Sequence, residues 1–384
     1  MSKKKTTIVH LVTPYLFHTG SWVYSQLTGA RKFRAIVFTQ KKENLGQFPF
    51  DKIYSPEDFS TGKRFVNKVY RRVFDRFGLF FDGLVQELKP RLFHAHFGFE
   101  AARWLEFVEK TRLPLVTTFY GQDASKLGKI PTWRGRYTKV FGYGNRFLVE
   151  GTFLKKQLMN LGCPENKIIV QHLGVELDKY PQKNHTSGSK ESPIVILQVS
   201  TFREKKGIEY SLDAISRVRK IYPNIEYRLI GAGDNEESNR RIVSMVKDLN
   251  LEDCVKLLGI QQHRAVIDEM SSADIFLHPS VTGQDGDNEG GAPVCIIEAS
   301  AVGLPVVSTL HADIPEVVID EQTGFLVPER NSMLLAERII RLIENPQLRM
   351  DFGKCGRTHI FKNYNLNTQL RNLENIYSEI DSAS

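Results

Sequence analysis

Short apolar runs recur along the first half of the chain, at residues 8–12, 35–38, 92–95, 115–119 and 146–149, and longer amphipathic stretches separate them. Runs of this length with little polar alternation suit strands buried on both faces. Their regular exchange with helical stretches predicts βαβ units and a parallel sheet. The same pattern starts again after residue 193, with strands expected at 194–199, 226–230, 255–258, 275–277 and 305–307. Between the two series lies PQKNHTSGSKESP, residues 181–193, rich in Pro, Ser and Gly and without either period, as linkers are. The expected division is a first domain over residues 1–183, a second over 194–363, and a final helical stretch, 364–384, crossing back to brace the first. A length of 384 residues agrees, because one hydrophobic core rarely organises so long a chain.

Composition narrows the class. Hydrophobic residues make up 41% and charged residues 25%, and no segment approaches the roughly 20 apolar residues that span a bilayer. The basic start, Met1 to Lys5, precedes an apolar run broken by His10, Thr13 and Pro14, which reads as a first strand and not as a signal peptide. Cys163, Cys254, Cys295 and Cys355 are far apart and form no CxxC, so neither a zinc site nor a disulfide framework is expected, and a reducing cytoplasm fits. Charge is uneven. Residues 1–190 hold 32 basic against 15 acidic residues (+17), and the remainder 20 against 29 (−9). A basic half predicts an anionic partner: nucleic acid, a membrane surface or a phosphorylated acceptor.

Doubly wound sheets bind ligands outside the carboxyl ends of their strands, so the residues just after the apolar runs carry the most information. After 194–199 comes Thr201-Phe202-Arg203-Glu204-Lys205-Lys206-Gly207 and then a helical pattern, which puts cations and a helix N-terminus at one point, a diphosphate site in the making. A solvated basic loop is the plainer alternative. After 226–230 comes Gly231-Ala232-Gly233-Asp234, where glycines let a backbone approach a ligand closely. The segment from Asn288 to Val307 is the sharpest: a turn with Glu289, Gly290 and Gly291 leads through Pro293 and Val294 into an apolar helix carrying Glu298. A carboxylate among Ile296, Ile297 and Ala299 needs partners, and a pair of ribose hydroxyls would supply them. Glu289 lies where a sugar attached to the diphosphate would reach.

The stretch from Glu289 to Glu298, followed by Ala-Ser-Ala-Val-Gly-Leu-Pro-Val-Val, resembles the EX7E signature of the family 4 retaining glycosyltransferases. The resemblance extends to Glu204-Lys205-Lys206-Gly207, Leu229-Ile230-Gly231-Ala232-Gly233, Leu258-Gly259, Ala273 to Ser280, Thr323 to Val327 and His94-Ala-His96-Phe-Gly98. It implies a GT-B fold, two Rossmann-like α/β domains facing each other across a cleft. Lys206 and Arg203 would bind the diphosphate, Glu298 the ribose and Glu289 the transferred sugar. Backbone at Gly259 and Ile260 would take the base, with Gly20 a further donor contact. The donor would be a UDP- or GDP-sugar and the acceptor a saccharide or lipid-linked saccharide, as in bacterial exopolysaccharide or lipopolysaccharide assembly. No cofactor, metal or nucleic acid is expected, and the location would be the cytoplasm or the inner face of the membrane.

This chain departs from the family pattern at three places. Eight residues separate Glu289 from Glu298 instead of seven, Thr201 stands where the family has its diphosphate arginine, and Tyr120 replaces the histidine of a Phe-His-Gly-x-Asp turn. Tyr120 and His96 are acceptor-cleft candidates, and Asp123 of the same turn is a catalytic one. A nucleotide-sugar epimerase or phosphorylase of the same fold, or a non-catalytic nucleotide-sugar binder, is the alternative. Two further features are weighed as chemistry. His94 and His96 could begin a metal site, and Asp285-Gly286-Asp287 spells the DxD of metal-dependent transferases but reads as an acidic loop. The segment 63–77 combines apolar residues at helical spacing with a basic face, suiting either an anionic membrane or core packing.

Overall fold

Both series of apolar runs become parallel sheets. A computed structural model describes residues 5–17, 20–183 and 192–383 of the protein. His18, Thr19 and residues 184–191 of the expected linker lie outside the described residues.

The first unit comprises residues 1–174 and 366–384. Its strands are β1 (Thr7–Leu11), β2 (Arg34–Phe38), β3 (Ile53–Tyr54), β4 (Leu92–His96), β5 (Leu115–Thr118), β6 (Arg146–Val149) and β7 (Ile168–Val170). They pair in parallel in the order β3-β2-β1-β4-β5-β6-β7. The second unit, residues 175–365, holds β8 (Ile194–Val199), β9 (Ile225–Ile230), β10 (Val255–Gly259), β11 (Ile275–His278), β12 (Val306–Thr309) and β13 (Gly324–Val327). These are also all parallel, in the order β10-β9-β8-β11-β12-β13. The order of each sheet reverses beside its central strand, between β1 and β4 and between β8 and β11. Those are the topological switch points at which such sheets bind ligands.

The division between units falls at Gly174 and Val175, ahead of the polar stretch where the sequence places it. Val175, Leu177 and Tyr180 pack with Val195, Leu197 and Ile230 in the second core, so burial binds this segment to the unit that follows. The last helix, Leu366–Ala383, belongs to the first unit. Its Leu373, Ile376, Tyr377 and Ile380 cover Ile8, Leu92, Val116 and Leu148, one on each of four neighbouring strands.

Two helices depart from the usual half-buried pattern. Val294–Val302 is apolar on nearly every side, and its residues 296 to 302 are all buried; Gly303, at φ 96°, ends it in the left-handed conformation. Thr61–Phe74 is the reverse, since Asn67 is its one buried residue.

Candidate active site

After β8 the chain makes one 3-10 turn, Glu204–Lys206, and enters the helix Ile208–Ile221 through Gly207. Gly207 has φ 63°, and a Cβ there would lie 1.9 Å from the carbonyl oxygen of Pro279, so only glycine permits this approach to the loop after β11. The approach brings Lys206 onto Glu289. Lys206 Nζ lies 2.8 Å from Glu289 Oε2, Ser280 Oγ donates to Oε1 at 2.9 Å, and His278 Nε2 is 3.8 Å from Oε1. Burial opposes a charge on Glu289, but Lys206, His278 and Lys205 outweigh it and hold the carboxyl well below its usual range. The Glu289 backbone N–H donates to His311 Nε2 at 3.2 Å. His311 therefore carries its proton on Nδ1, which donates to Glu329 Oε1 at 2.7 Å. Glu329 is in turn held ionised against partial burial by His311, the Thr282 amide and Arg330.

A turn through Gly290, whose N–H donates to Asn288 Oδ1 at 3.0 Å, leads into the helix Val294–Val302. No side chain caps that helix at Pro293. Glu298 is buried one turn in, and its Oε1 accepts from both Tyr180 Oη and His263 Nε2, each at 2.8 Å. The hydrogen bond to Glu298 raises the His263 pKa, against burial. Sequence reasoning missed both partners. His263 opens a helix four residues beyond Gly259, and Tyr180 comes from the segment ahead of the linker, so no local pattern ties either to Glu298. His278 and Ser280 stood in a recognised motif without an assigned role.

Other expected residues stand apart from this cluster. Arg203 pairs with Asp234 at 2.7 Å, and both side chains are about half exposed. Gly231 (φ 131°) is required by the protein's own backbone, because a Cβ would lie 1.8 Å from Ser200 O. The N–H of Gly233 donates to Asn239 Oδ1 at 2.7 Å. Gly259, with φ 66° and open space at its Cβ position, and the strongly exposed Ile260 do leave backbone accessible at the end of β10. In the acidic loop, Asp287 is tied to Lys205 at 3.1 Å, and Asp285 Oδ1 accepts the Asp287 N–H.

In the first unit the candidates turn inward. Asp123, expected to be catalytic, is fully buried and accepts from four backbone amides, those of Gly98, Tyr120, Gly121 and Ala124, at 2.8–3.2 Å. That makes it a brace for its turn, with burial raising its pKa despite those bonds. Tyr120 and His96, the acceptor-cleft candidates, are buried and bonded to each other, Oη to Nδ1 at 2.8 Å. His96 Nε2 meets His10 Nδ1 at 3.0 Å, while His94 bonds Tyr377 and Thr118 at 2.6 and 2.7 Å. The three histidines each offer a nitrogen within 4.8 Å of the others, a spacing compatible with a metal ion, but hydrogen bonds already engage the rings. Burial pushes His10 down to about 3 and the other two well below the usual value, so all three are neutral near pH 7. Gly20 precedes the helix Ser21–Gly29 after β1, where no side chain caps the helix.

Comparison with known proteins gives matches along nearly the whole chain. Residues 27–179 match the Glycosyltransferase Family 4 model and residues 180–359 the Glycosyl transferases group 1 model. The amylovoran biosynthesis glycosyltransferase AmsK of Erwinia amylovora is 32% identical over 291 residues, 75% of this chain and 70% of that protein. WcaL of Escherichia coli, named for colanic acid biosynthesis, is 35% identical over 251 residues, 65% of this chain but 60% of its own length. Among solved structures, HepE of Anabaena in complex with UDP superposes with a TM-score of 0.78 at 18% identity, covering 98% of this chain and all of that one. A glycosyltransferase from Rickettsia africae gives 0.75 at 18% identity, covering 99% and 100%. Two parallel-sheet α/β domains of this kind define the GT-B fold. The chain belongs to glycosyltransferase family 4.

Proposed function

We propose that this protein transfers a sugar from a UDP- or GDP-sugar to a saccharide or lipid-linked acceptor, with retention of anomeric configuration, in the assembly of a bacterial surface polysaccharide. The observation that carries the reading is the Lys206–Glu289 pair, with side chains only 16% and 6% exposed, on the loops after β8 and β11, where the strand order of the second sheet reverses. The names of AmsK and WcaL support the polysaccharide class, and the UDP bound to HepE supports a nucleotide donor.

In the reaction the bond from the anomeric carbon to the diphosphate oxygen breaks, the acceptor oxygen bonds to that carbon, and the acceptor's proton passes to the leaving oxygen. What the site must supply is stabilisation of the diphosphate. Lys206 provides a fixed cation, and the uncapped first turn of Val294–Val302 adds the partial positive charge of its N–H groups. Arg203 joins them by leaving Asp234, an exposed pair worth at most about 1 kcal/mol. Glu298 takes the ribose hydroxyls and Glu289 faces the transferred sugar. These fixed charges make a divalent cation unnecessary. The basic first unit, with 30 Lys and Arg against 16 Asp and Glu (+14), faces an anionic acceptor or the inner face of the membrane. No helix of the described residues is long and apolar enough to cross a membrane.

Mass spectrometry of products from a panel of UDP- and GDP-sugars tests the reading. Glycosylated acceptor should form, survive EDTA and the replacement of Asp285 and Asp287 by Asn, and fall about 100-fold in rate with Lys206→Ala. Epimerised or phosphorolysed sugar would identify the alternative enzymes, and donor binding without turnover across broad acceptor panels would identify a binding protein.

A further inference from the structure

The helix Thr61–Phe74 is amphipathic with its polar side toward the protein. Asn67 is buried and donates to Gln40 Oε1 at 3.1 Å, and the half-buried Arg71 lays its guanidinium 5.2 Å from the centre of the Phe77 ring. On the opposite side Phe65, Val66, Val69, Val73 and Phe74 are 45–67% exposed. At about 100° per residue, Phe65, Val66, Val69 and Val73 fall within roughly a 100° arc. Exposed Lys68 and Arg72 flank the arc on one edge and Lys63 on the other, and the helix contains no acidic residue.

Fifteen large apolar side chains are exposed among the described residues, and five of them lie in these ten positions, so the patch is a cluster and not scatter. A soluble chain loses free energy by keeping it in water, so something covers it. A second copy would bring the same rows of Lys and Arg together with no acid to answer them. An anionic bilayer answers both features, with acyl chains for the arc and headgroup phosphates for its edges.

We propose that Thr61–Phe74 lies in the interfacial plane of an anionic membrane, with Phe65, Val69 and Val73 among the acyl chains and Lys63, Lys68 and Arg72 at the phosphates. This deepens the membrane-face part of the proposed function and rests on it. It does not depend on the identity of the donor or of the acceptor.

Co-sedimentation of the full chain with phosphatidylglycerol and with phosphatidylcholine vesicles tests it, together with the variant Phe65→Ser/Val69→Ser/Val73→Ser, whose three positions are exposed and leave the fold intact. The wild type should bind the anionic vesicles, less so at high salt, and the triple variant at least about ten-fold more weakly. In Val69→Trp, lipids brominated in the acyl chain should quench the added tryptophan. Equal binding by the triple variant, with no quenching in Val69→Trp, overturns the docking helix while leaving membrane association through other basic residues. No binding by the wild type to either vesicle at low salt overturns both. Dimerisation of the wild type without lipid, lost in the triple variant, assigns the face to a second copy and also overturns the proposal.

Discussion

Lys206 and Glu289 neutralise each other with side chains only 16% and 6% exposed, so removing one takes from the other its nearest counter-charge. Lys206→Met should destabilise the protein by about 3 kcal/mol, and adding Glu289→Gln should restore most of that loss, because the stranded charge and not the missing contact dominates. Urea unfolding of the two single variants and the double variant measures the coupling, and additive losses would mean that the pair is not the reason. Glu100 is a second buried carboxyl, raised by burial to about 7 against an ordinary 4.5, although Arg103, Thr13 and Trp104 pull it the other way. Folding therefore takes up a proton between those pH values, and stability falls as pH rises through that window. Glu100→Gln, which keeps an acceptor for Trp104 Nε1, should stabilise the chain at pH 8 by up to about 3 kcal/mol and hardly at all at pH 4.5. Thermal unfolding at the two pH values checks the difference. Glu298 and Glu289 were legible in the sequence because each is a carboxylate in an apolar or glycine-rich setting that demands a partner. The partners themselves were not, since Tyr180 and His263 reach Glu298 from 118 and 35 residues away. That Asp123 serves four backbone amides was not legible for a related reason, because a carboxylate serving backbone amides looks the same in sequence as one serving a substrate.

At the scale of elements, the apolar runs located ten of the thirteen strands within a residue or two of their ends. Strands β3 and β7, with two and three residues, are too short to produce a period, and β13 was marked only by its motif. Periodicity also marked an amphipathic helical segment over residues 63–77, where the structure has the helix Thr61–Phe74, but it defines a stripe and does not say which side of the helix the protein takes. Here one buried asparagine decides it. The last helix is an element whose role can be measured directly. Leu373, 2% exposed, packs against the four-strand face, so Leu373→Ala should cost about 2–5 kcal/mol. Tyr377→Phe, which removes only the hydrogen bond to His94, should cost about 1–3 kcal/mol because it leaves a buried ring nitrogen unsatisfied. A clearly larger loss for Tyr377→Phe than for Leu373→Ala would mean that the helix is held by its polar contact and not by its apolar face.

For the molecule as a whole, composition and length gave two domains, and the change in sign of the charge marked their approximate border. The border itself was placed about nine residues late, because Val175, Leu177 and Tyr180 are too sparse to read as an element and are recruited by a core that only folding assembles. The charge asymmetry persists across that border, with +14 in the first unit and 22 basic against 28 acidic residues (−6) in the second. The proposed diphosphate site lies in the acidic unit, so binding there would have to come from placed cations and not from the net field, which makes the local site the part to test. The most direct measurement is calorimetric titration of UDP and of GDP into the full chain in EDTA, repeated with Glu298→Gln, a variant whose amide oxygen can still accept from Tyr180 and His263. The account predicts that one of the two nucleotides binds without metal and that the variant weakens it by roughly 10- to 100-fold, about 1.5–3 kcal/mol. Unchanged affinity in Glu298→Gln, or binding that appears only when magnesium or manganese is added, would contradict it.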